Sequence, residues 1–166
     1  MAKITLKGSP VNTSGNLPAV GSIAPDFAMV KNDLSEVKLS AIHTKYKVLN
    51  IFPSVDTGTC AMSVKKFNQS AAELKDVAIL NVSKDLPFAQ KRFCGAEGIN
   101  QVETVSVFRH DFAKAYQLEI VDGPLKGLCS RAILVLDKNN KVLHAEQVAE
   151  IANEPNYATA LKALSK

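Results

Sequence analysis

Tryptophan is absent from this chain of 166 residues, and long apolar runs are absent too. No apolar stretch approaches the roughly 18 residues that a membrane-spanning helix needs, so we expect no membrane partner. The first residues alternate between apolar and polar side chains. They lack the continuous apolar core of a signal peptide, and we therefore expect a cytoplasmic protein.

Charge of one sign is not concentrated anywhere along the chain. The net charge is +4, and no block of five like charges occurs. Nucleic-acid binders usually gather basic residues on one face or belong to a known module. Because neither feature is present, we expect no nucleic-acid partner. The length and the absence of internal repeats favour one domain over residues 1–166.

Cysteine is scarce, and the three cysteines are far apart: Cys60, Cys94 and Cys129. Zinc sites usually draw on closely spaced pairs of ligands, so we expect no structural metal site. A lasting structural disulfide is not expected in a reducing compartment. A disulfide in that compartment would more readily be transient and catalytic.

The apolar periodicity predicts strands alternating with helices. Strands are predicted near residues 3–7, 11–13, 27–30, 37–39, 47–52, 77–82, 103–108, 132–136 and 142–145. Helices are predicted near residues 60–75, 86–94, 112–118 and 156–165. This order indicates an α/β protein with a thioredoxin-like mixed sheet flanked by helices. An N-terminal β-hairpin is predicted to turn at residues 8–10.

Cys60 is placed where an apolar strand gives way to a predicted helix. The first N–H groups of a helix lack intrahelical partners, and with the helix dipole they favour a thiolate over a thiol. A thiolate is the form that attacks electrophiles, so Cys60 is a candidate nucleophile. The alternative is a buried cysteine that acts as a small apolar side chain.

Thr57 and Pro53, which both precede Cys60 in the sequence, have two interpretations each. Thr57 is placed to cap the helix, and its hydroxyl could instead bond the sulfur or a substrate oxygen. The cap is the interpretation that the residue itself favours. Pro53 ends the strand and could also shield the sulfur from solvent.

Three further side chains could belong to the same chemistry or only to the scaffold. Arg131 precedes a strongly apolar strand. A charged residue there more often faces water, although a guanidinium directed at Cys60 would stabilise its thiolate. Cys94 could be a core residue, or it could condense with an oxidised Cys60. Because both cysteines are predicted on helices, a disulfide between them would need local unwinding. Cys129 is interpreted as buried and inert.

The pattern Pro-x-x-x-Thr-x-x-Cys at residues 53–60 resembles the peroxidatic motif of peroxiredoxins. Segments 50–58, 85–98 and 122–128 resemble the bacterial thiol peroxidases within that family. The resemblance extends over nearly the whole chain. It implies a thioredoxin fold with an N-terminal hairpin, and an atypical two-cysteine peroxidase that needs no cofactor.

The resemblance also implies a role for each matching residue. Cys60 would be the peroxidatic cysteine and Cys94 the resolving cysteine of the same chain. Thr57 and Arg131 would activate the thiolate and orient the peroxide, and Pro53 would screen the sulfur. The family implies a homodimer that is reduced by thioredoxin and prefers alkyl hydroperoxides.

Two other function classes stay open at this point. A redox sensor could use a disulfide between Cys60 and Cys94 as a switch without turning over. A general disulfide oxidoreductase is disfavoured because the chain has no Cys-x-x-Cys pair. Cys129 has no role in the family pattern, which leaves open a side disulfide or a redox-sensitive packing site.

Overall fold

A computed structural model describes residues 2–165 of the chain, so Met1 and Lys166 of the predicted domain lie outside the described residues. Nine strands are described: β1 (Lys3–Leu6), β2 (Ser9–Asn12), β3 (Ala28–Val30), β4 (Glu36–Lys38), β5 (Tyr46–Ile51), β6 (Val77–Ser83), β7 (Glu103–Ser106), β8 (Ala132–Asp137) and β9 (Val142–Gln147). Four α-helices are described: α1 (Gly58–Ala71), α2 (Pro87–Glu97), α3 (Phe112–Ala115) and α4 (Tyr157–Lys162). Within residues 2–165, no helix is long and apolar enough to cross a membrane.

Strands β3 to β9 form one mixed sheet of seven strands in the order β4-β3-β7-β6-β5-β8-β9. Strands β5, β6 and β7 run parallel, whereas β8 is antiparallel to β5. The fold class predicted from the sequence is therefore confirmed. The central strand β5 is buried along its whole length, as expected for a strand covered on both faces.

Successive residues of the central strands are buried, and their side chains point alternately to the two sides, so both faces of the sheet are covered by apolar cores. On β8, Leu134 faces the larger core with α3, whereas Val135 faces the core that contains residues of α1 and α4. A smaller cluster continues the second core toward the start of α1. This arrangement holds α1 against the sheet and fixes where the helix begins.

The predicted N-terminal hairpin is present, but its turn lies earlier than predicted. Leu6 pairs with Ser9, so only Lys7 and Gly8 form the loop. Both loop residues have positive φ angles, 50° and 82°, as a tight type I′ turn requires. Ser9 and Pro10 therefore belong to β2, and the turn begins one residue and ends two residues earlier than the predicted residues 8–10.

Several predicted elements end earlier than the apolar pattern suggested. Helix α1 ends at Ala71 rather than near residue 75, because the next N–H groups bond three residues back and tighten the last turn. Leu39 begins a short 3₁₀ turn instead of ending β4. Strand β7 stops at Ser106, and α3 and α4 are also shorter than predicted, with a 3₁₀ turn following α4.

Candidate active site

The register of two central strands brings the candidate residues to one edge of the sheet. Ile51, the last residue of β5, pairs with Ala132, the first residue of β8. The chain leaving β5 therefore passes beside Arg131, the residue that precedes β8. The loop after β5 leads directly into α1, so Cys60 and Arg131 are brought together although they are far apart in the sequence.

Thr57 is the N-cap of α1, as the sequence predicts. Its Oγ1 accepts a hydrogen bond from the Cys60 N–H at 3.3 Å, and its hydroxyl donates to the Ser54 carbonyl at 3.2 Å. The Thr57 hydroxyl has one proton, which it donates to the Ser54 carbonyl. In this conformation Thr57 therefore orients the helix start and does not donate to the sulfur.

Cys60 and Arg131 form the centre of the candidate site. Cys60 is fully buried, and Arg131 is 2% exposed. The Arg131 Nη2 donates to the Cys60 Sγ at 3.2 Å, and its Nε donates to the Ile151 carbonyl at 2.8 Å. A cationic donor at this distance favours negative charge on the sulfur. The interpretation of Arg131 as a strand-end residue facing water was wrong.

The third nitrogen of the Arg131 guanidinium differs from the other two in its hydrogen bonding. Arg131 Nη1 is buried and has no hydrogen-bond partner among residues 2–165. A buried donor without a partner carries a desolvation cost, which an oxygen entering the site would remove. The guanidinium that contacts the sulfur therefore keeps one charge-assisted donor without a partner among the described residues.

The loop between β5 and α1 is fixed by Asp85, a residue to which the sequence assigned no role. Its carboxylate accepts hydrogen bonds from the Ser54 hydroxyl at 2.7 Å, the Val55 N–H at 2.9 Å and the Ser83 hydroxyl at 2.6 Å. Pro53 is buried in the same loop. The only sequence signal for Asp85 was its place in segment 85–98.

A buried polar network anchors the first turn of α1 to the sheet. The Asn50 amide donates to the Asn81 Oδ1 at 2.8 Å and to the Ser63 Oγ at 3.1 Å. The Ser63 hydroxyl in turn donates to the Cys60 carbonyl at 2.8 Å. All four residues are buried, so the network holds the backbone at Cys60 in place.

Cys94 lies on α2 and packs against the same apolar cluster as Cys60. Its Sγ is 3.3 Å from the Thr104 Oγ1, and the Thr104 hydroxyl donates to the Asn32 Oδ1 at 3.1 Å. Because the Thr104 hydroxyl has one proton and donates it to Asn32, the Cys94 thiol is the donor to Thr104. Both cysteines are free thiols within helices.

Cys129 lies outside this group. It is fully buried in the larger core, and burial raises the pKa of its thiol to about 12. The predicted burial is therefore confirmed. A thiol with a raised pKa is protonated at neutral pH and is a poor nucleophile.

Tyr157, the first residue of α4, lies near Cys60 and Arg131. Burial first, and its hydrogen bond to Glu154 second, raise the pKa of this phenol. Its hydroxyl donates to Glu154 at 3.0 Å.

No group of three or more His, Cys, Asp or Glu side chains that could hold a metal ion occurs among the described residues.

The chain is similar to known proteins over nearly its whole length. The Redoxin family model matches residues 19–161. A thiol peroxidase of Mycobacterium bovis (strain ATCC BAA-935 / AF2122/97) is 52% identical over 164 residues, which cover 99% of each chain. The crystal structure of a peroxiredoxin-like protein from Aquifex aeolicus is similar, with a TM-score of 0.93, 38% identity and coverage of 99% of this chain and 97% of that chain.

The same fold occurs in more distant proteins. A thiol peroxidase from Chromobacterium violaceum has a TM-score of 0.91 at 21% identity, with coverage of 99% of this chain and 96% of that chain. At that identity the likeness concerns the fold alone. Taken with the full-length similarity above, these findings show that the chain is a peroxidase that belongs to the thiol peroxidases, a peroxiredoxin branch of the Redoxin family.

Proposed function

We propose that this peroxidase reduces hydroperoxides, both alkyl hydroperoxides and hydrogen peroxide, with Cys60 as the peroxidatic cysteine and Cys94 as the resolving cysteine. Thioredoxin is the proposed reductant. The observation that carries the proposal is the buried Arg131 guanidinium, which bonds the Cys60 sulfur and keeps one donor free.

In the first step, the Cys60 thiolate attacks the terminal oxygen of the hydroperoxide. A sulfur–oxygen bond forms while the oxygen–oxygen bond breaks, which leaves a sulfenic acid on Cys60. The leaving alkoxide, or hydroxide in the case of hydrogen peroxide, takes a proton from solvent and departs as an alcohol or water. The Nη1 of Arg131, which has no partner among the described residues, would stabilise the oxygen that becomes negative. Thr57 would hold the helix start, and Pro53 would exclude water from the sulfur.

A terminal peroxide group suits the space around Cys60 better than a large ligand does. Cys60 has no exposed surface. A shallow depression of about 360 Å³ next to the start of α1 is lined by Gly58, Thr59, Met62, Ala152, Asn153 and Glu154. We propose that the reactive end enters beside this helix start and that the alkyl part stays in the open depression.

In the second step, the Cys94 sulfur attacks the Cys60 sulfenic acid. A disulfide forms, the sulfur–oxygen bond breaks, and the oxygen leaves as water. Thioredoxin then supplies two electrons and two protons through thiol–disulfide exchange and restores both thiols. The packing of both cysteines against one cluster supports this pairing.

Three further parts of the proposal concern the molecule as a whole. We propose one domain over residues 1–166, a homodimer, and a cytoplasmic location. The reducing conditions of that compartment suit a site that needs free thiols at the start of each cycle.

Two cysteine variants test the proposal. We expect Cys60→Ser to abolish peroxide turnover with a thioredoxin system. Cys94→Ser should lose steady-state turnover but still consume one equivalent of hydroperoxide, because the first step needs only Cys60. Cys129→Ser is the matched control and should turn over like the wild-type enzyme.

Full steady-state activity in Cys60→Ser would contradict the proposal. Repeated turnover by the wild-type protein also separates an enzyme from a redox sensor, since a sensor forms the disulfide without cycling.

A further inference from the structure

The N-terminal hairpin contacts the segment that holds Arg131. Thr5 of β1 donates its N–H to the Ala149 carbonyl at 2.7 Å, and it accepts the Ile151 N–H at 2.8 Å. Residues 149–151 therefore run beside β1 as a short parallel bridge. Apolar packing supports this contact, because Ile4, Val11 and Ile151 lie in one buried cluster.

Glu150 stabilises this contact through hydrogen bonds. Its carboxylate accepts four hydrogen bonds between 2.7 and 3.0 Å, from the Thr5 hydroxyl and from the N–H groups of Lys7, Gly8 and Ala152. The Ala152 N–H and then the Thr5 hydroxyl contribute most to lowering the pKa of this carboxyl to about 2. Glu150 is thus ionised at neutral pH and joins the hairpin turn to the segment.

The next residue along the chain, Ile151, bonds the guanidinium that contacts the sulfur. Ile151 gives its N–H to Thr5, and its carbonyl accepts the Nε of Arg131 at 2.8 Å. The same guanidinium donates to the Cys60 Sγ through Nη2 at 3.2 Å. A continuous set of bonds therefore leads from the hairpin through Glu150 and Ile151 to Arg131 and Cys60.

We infer that Glu150 is a positioning residue, through which the N-terminal hairpin sets the orientation of Arg131 at Cys60. The inference rests on the proposed function, since it assigns the effect to the oxidation of Cys60. A guanidinium with one nitrogen fixed by a carbonyl keeps its other nitrogens directed at the sulfur and at the incoming oxygen. If the carbonyl shifts, both of those directions are lost together.

The chain offers a matched control on the other side of the hairpin. Asp122 also binds the hairpin, because it accepts the Asn12 N–H at 2.8 Å and the Asn12 side-chain amide at 2.7 Å. Hydrogen bonds from Asn12 lower the pKa of Asp122 as well. Unlike Glu150, it is not adjacent to the residue that holds Arg131.

The test compares Glu150→Gln with Asp122→Asn in the full-length protein. Loss of Cys60 thiol after mixing with cumene hydroperoxide is followed by rapid quenching, alkylation and mass spectrometry. We expect Glu150→Gln to slow this oxidation roughly fivefold or more, and Asp122→Asn to stay within about twofold of wild type. In thioredoxin-coupled turnover, Glu150→Gln should lower kcat/KM for the hydroperoxide while kcat is kept. Thermal unfolding of each variant reports loosening of the hairpin separately.

Each other result overturns the inference. Oxidation of Cys60 at the wild-type rate in Glu150→Gln would show that Glu150 does not position Arg131. Equal slowing in Asp122→Asn would show that both substitutions act by loosening the hairpin. If Glu150→Gln does not fold, Thr5→Val replaces it, with a smaller slowing expected and a wild-type rate contradicting the inference. Failure of the proposed function is distinguishable, because in that case the wild-type Cys60 itself would not be oxidised.

Discussion

At the scale of single residues, the three nitrogens of the Arg131 guanidinium have different surroundings. One nitrogen binds the Ile151 carbonyl, a second binds the Cys60 sulfur, and the third has no partner among the residues described. A lysine at this position could not do the same, because an ammonium group lacks the fixed planar arrangement of donors.

Removal of the Arg131 guanidinium is expected to slow the oxidation of Cys60 by about a hundredfold, the usual cost of losing a donor aimed at developing charge. The variants are Arg131→Met and Arg131→Lys, measured by single-turnover oxidation with hydroperoxide. Arg131→Lys should recover only part of the rate. Arg109→Met, which removes an exposed arginine paired with Glu36, is the control. A wild-type rate in Arg131→Met would contradict the assignment.

Cys129 gives a prediction on pH. Burial raises the pKa of its thiol from 9.0 to about 12, so the folded protein holds this proton more tightly than the unfolded chain does. The stabilisation is fully present below pH 9 and is lost as the pH rises from 9 toward 12.

We therefore expect the free energy of unfolding to fall more steeply above pH 9 in wild type than in Cys129→Ala. The difference should be roughly 1 kcal/mol for each pH unit. Urea unfolding at a series of alkaline pH values measures it. Parallel curves for the two proteins would show that the Cys129 thiol does not titrate as its burial requires.

At the scale of elements, α1 and α2 each hold one cysteine in place by separate bonds. The start of α1 is tied to the sheet through Ser63, and Cys94 on α2 is tied to Thr104 of β7. The ion pair between Asp56 and Arg92 also joins the loop before α1 to α2, but both side chains are largely exposed, so it adds little. Disulfide formation within the chain would have to break some of these bonds.

Thr104→Val tests whether the hydrogen bond to β7 restrains Cys94. The change removes the oxygen that accepts the Cys94 thiol proton and keeps the shape of the side chain. We expect the disulfide between Cys60 and Cys94 to form roughly three- to tenfold faster, since one hydrogen bond no longer opposes the movement of Cys94. Because the chain has no tryptophan, the measurement is rapid acid quenching followed by mass spectrometry.

The oxidation of Cys60 in Thr104→Val should keep its wild-type rate, which serves as the internal control. Slower disulfide formation in this variant would mean that Thr104 assists the reaction of Cys94 and does not restrain it.

At the scale of the whole molecule, the sequence predicts the elements that depend on local pattern. The apolar runs of β5, β6 and β8 and the helical spacing of α1 are strong signals, and Thr57 is a recognisable cap. Element ends were less accurate, because they depend on bonds such as the one from the Leu39 N–H to the Phe27 carbonyl.

The site was predictable only in part for the same reason. Burial of Arg131 depends on the carbonyl of Ile151, and the loop before Cys60 depends on Asp85, each supplied by a distant part of the chain. No periodicity encodes such contacts. The resemblance to peroxiredoxins assigned Arg131 a role, whereas Asp85, Thr104 and Glu150 act through contacts that only the fold brings together.

A single disulfide-mapping experiment tests directly whether Cys60 and Cys94 carry the peroxidase chemistry. Reduced protein is mixed with one equivalent of cumene hydroperoxide, quenched within seconds, digested and analysed by mass spectrometry. We expect a Cys60–Cys94 disulfide with Cys129 recovered as a free thiol. A Cys60 thiol that survives unoxidised, or a disulfide that contains Cys129, would contradict it.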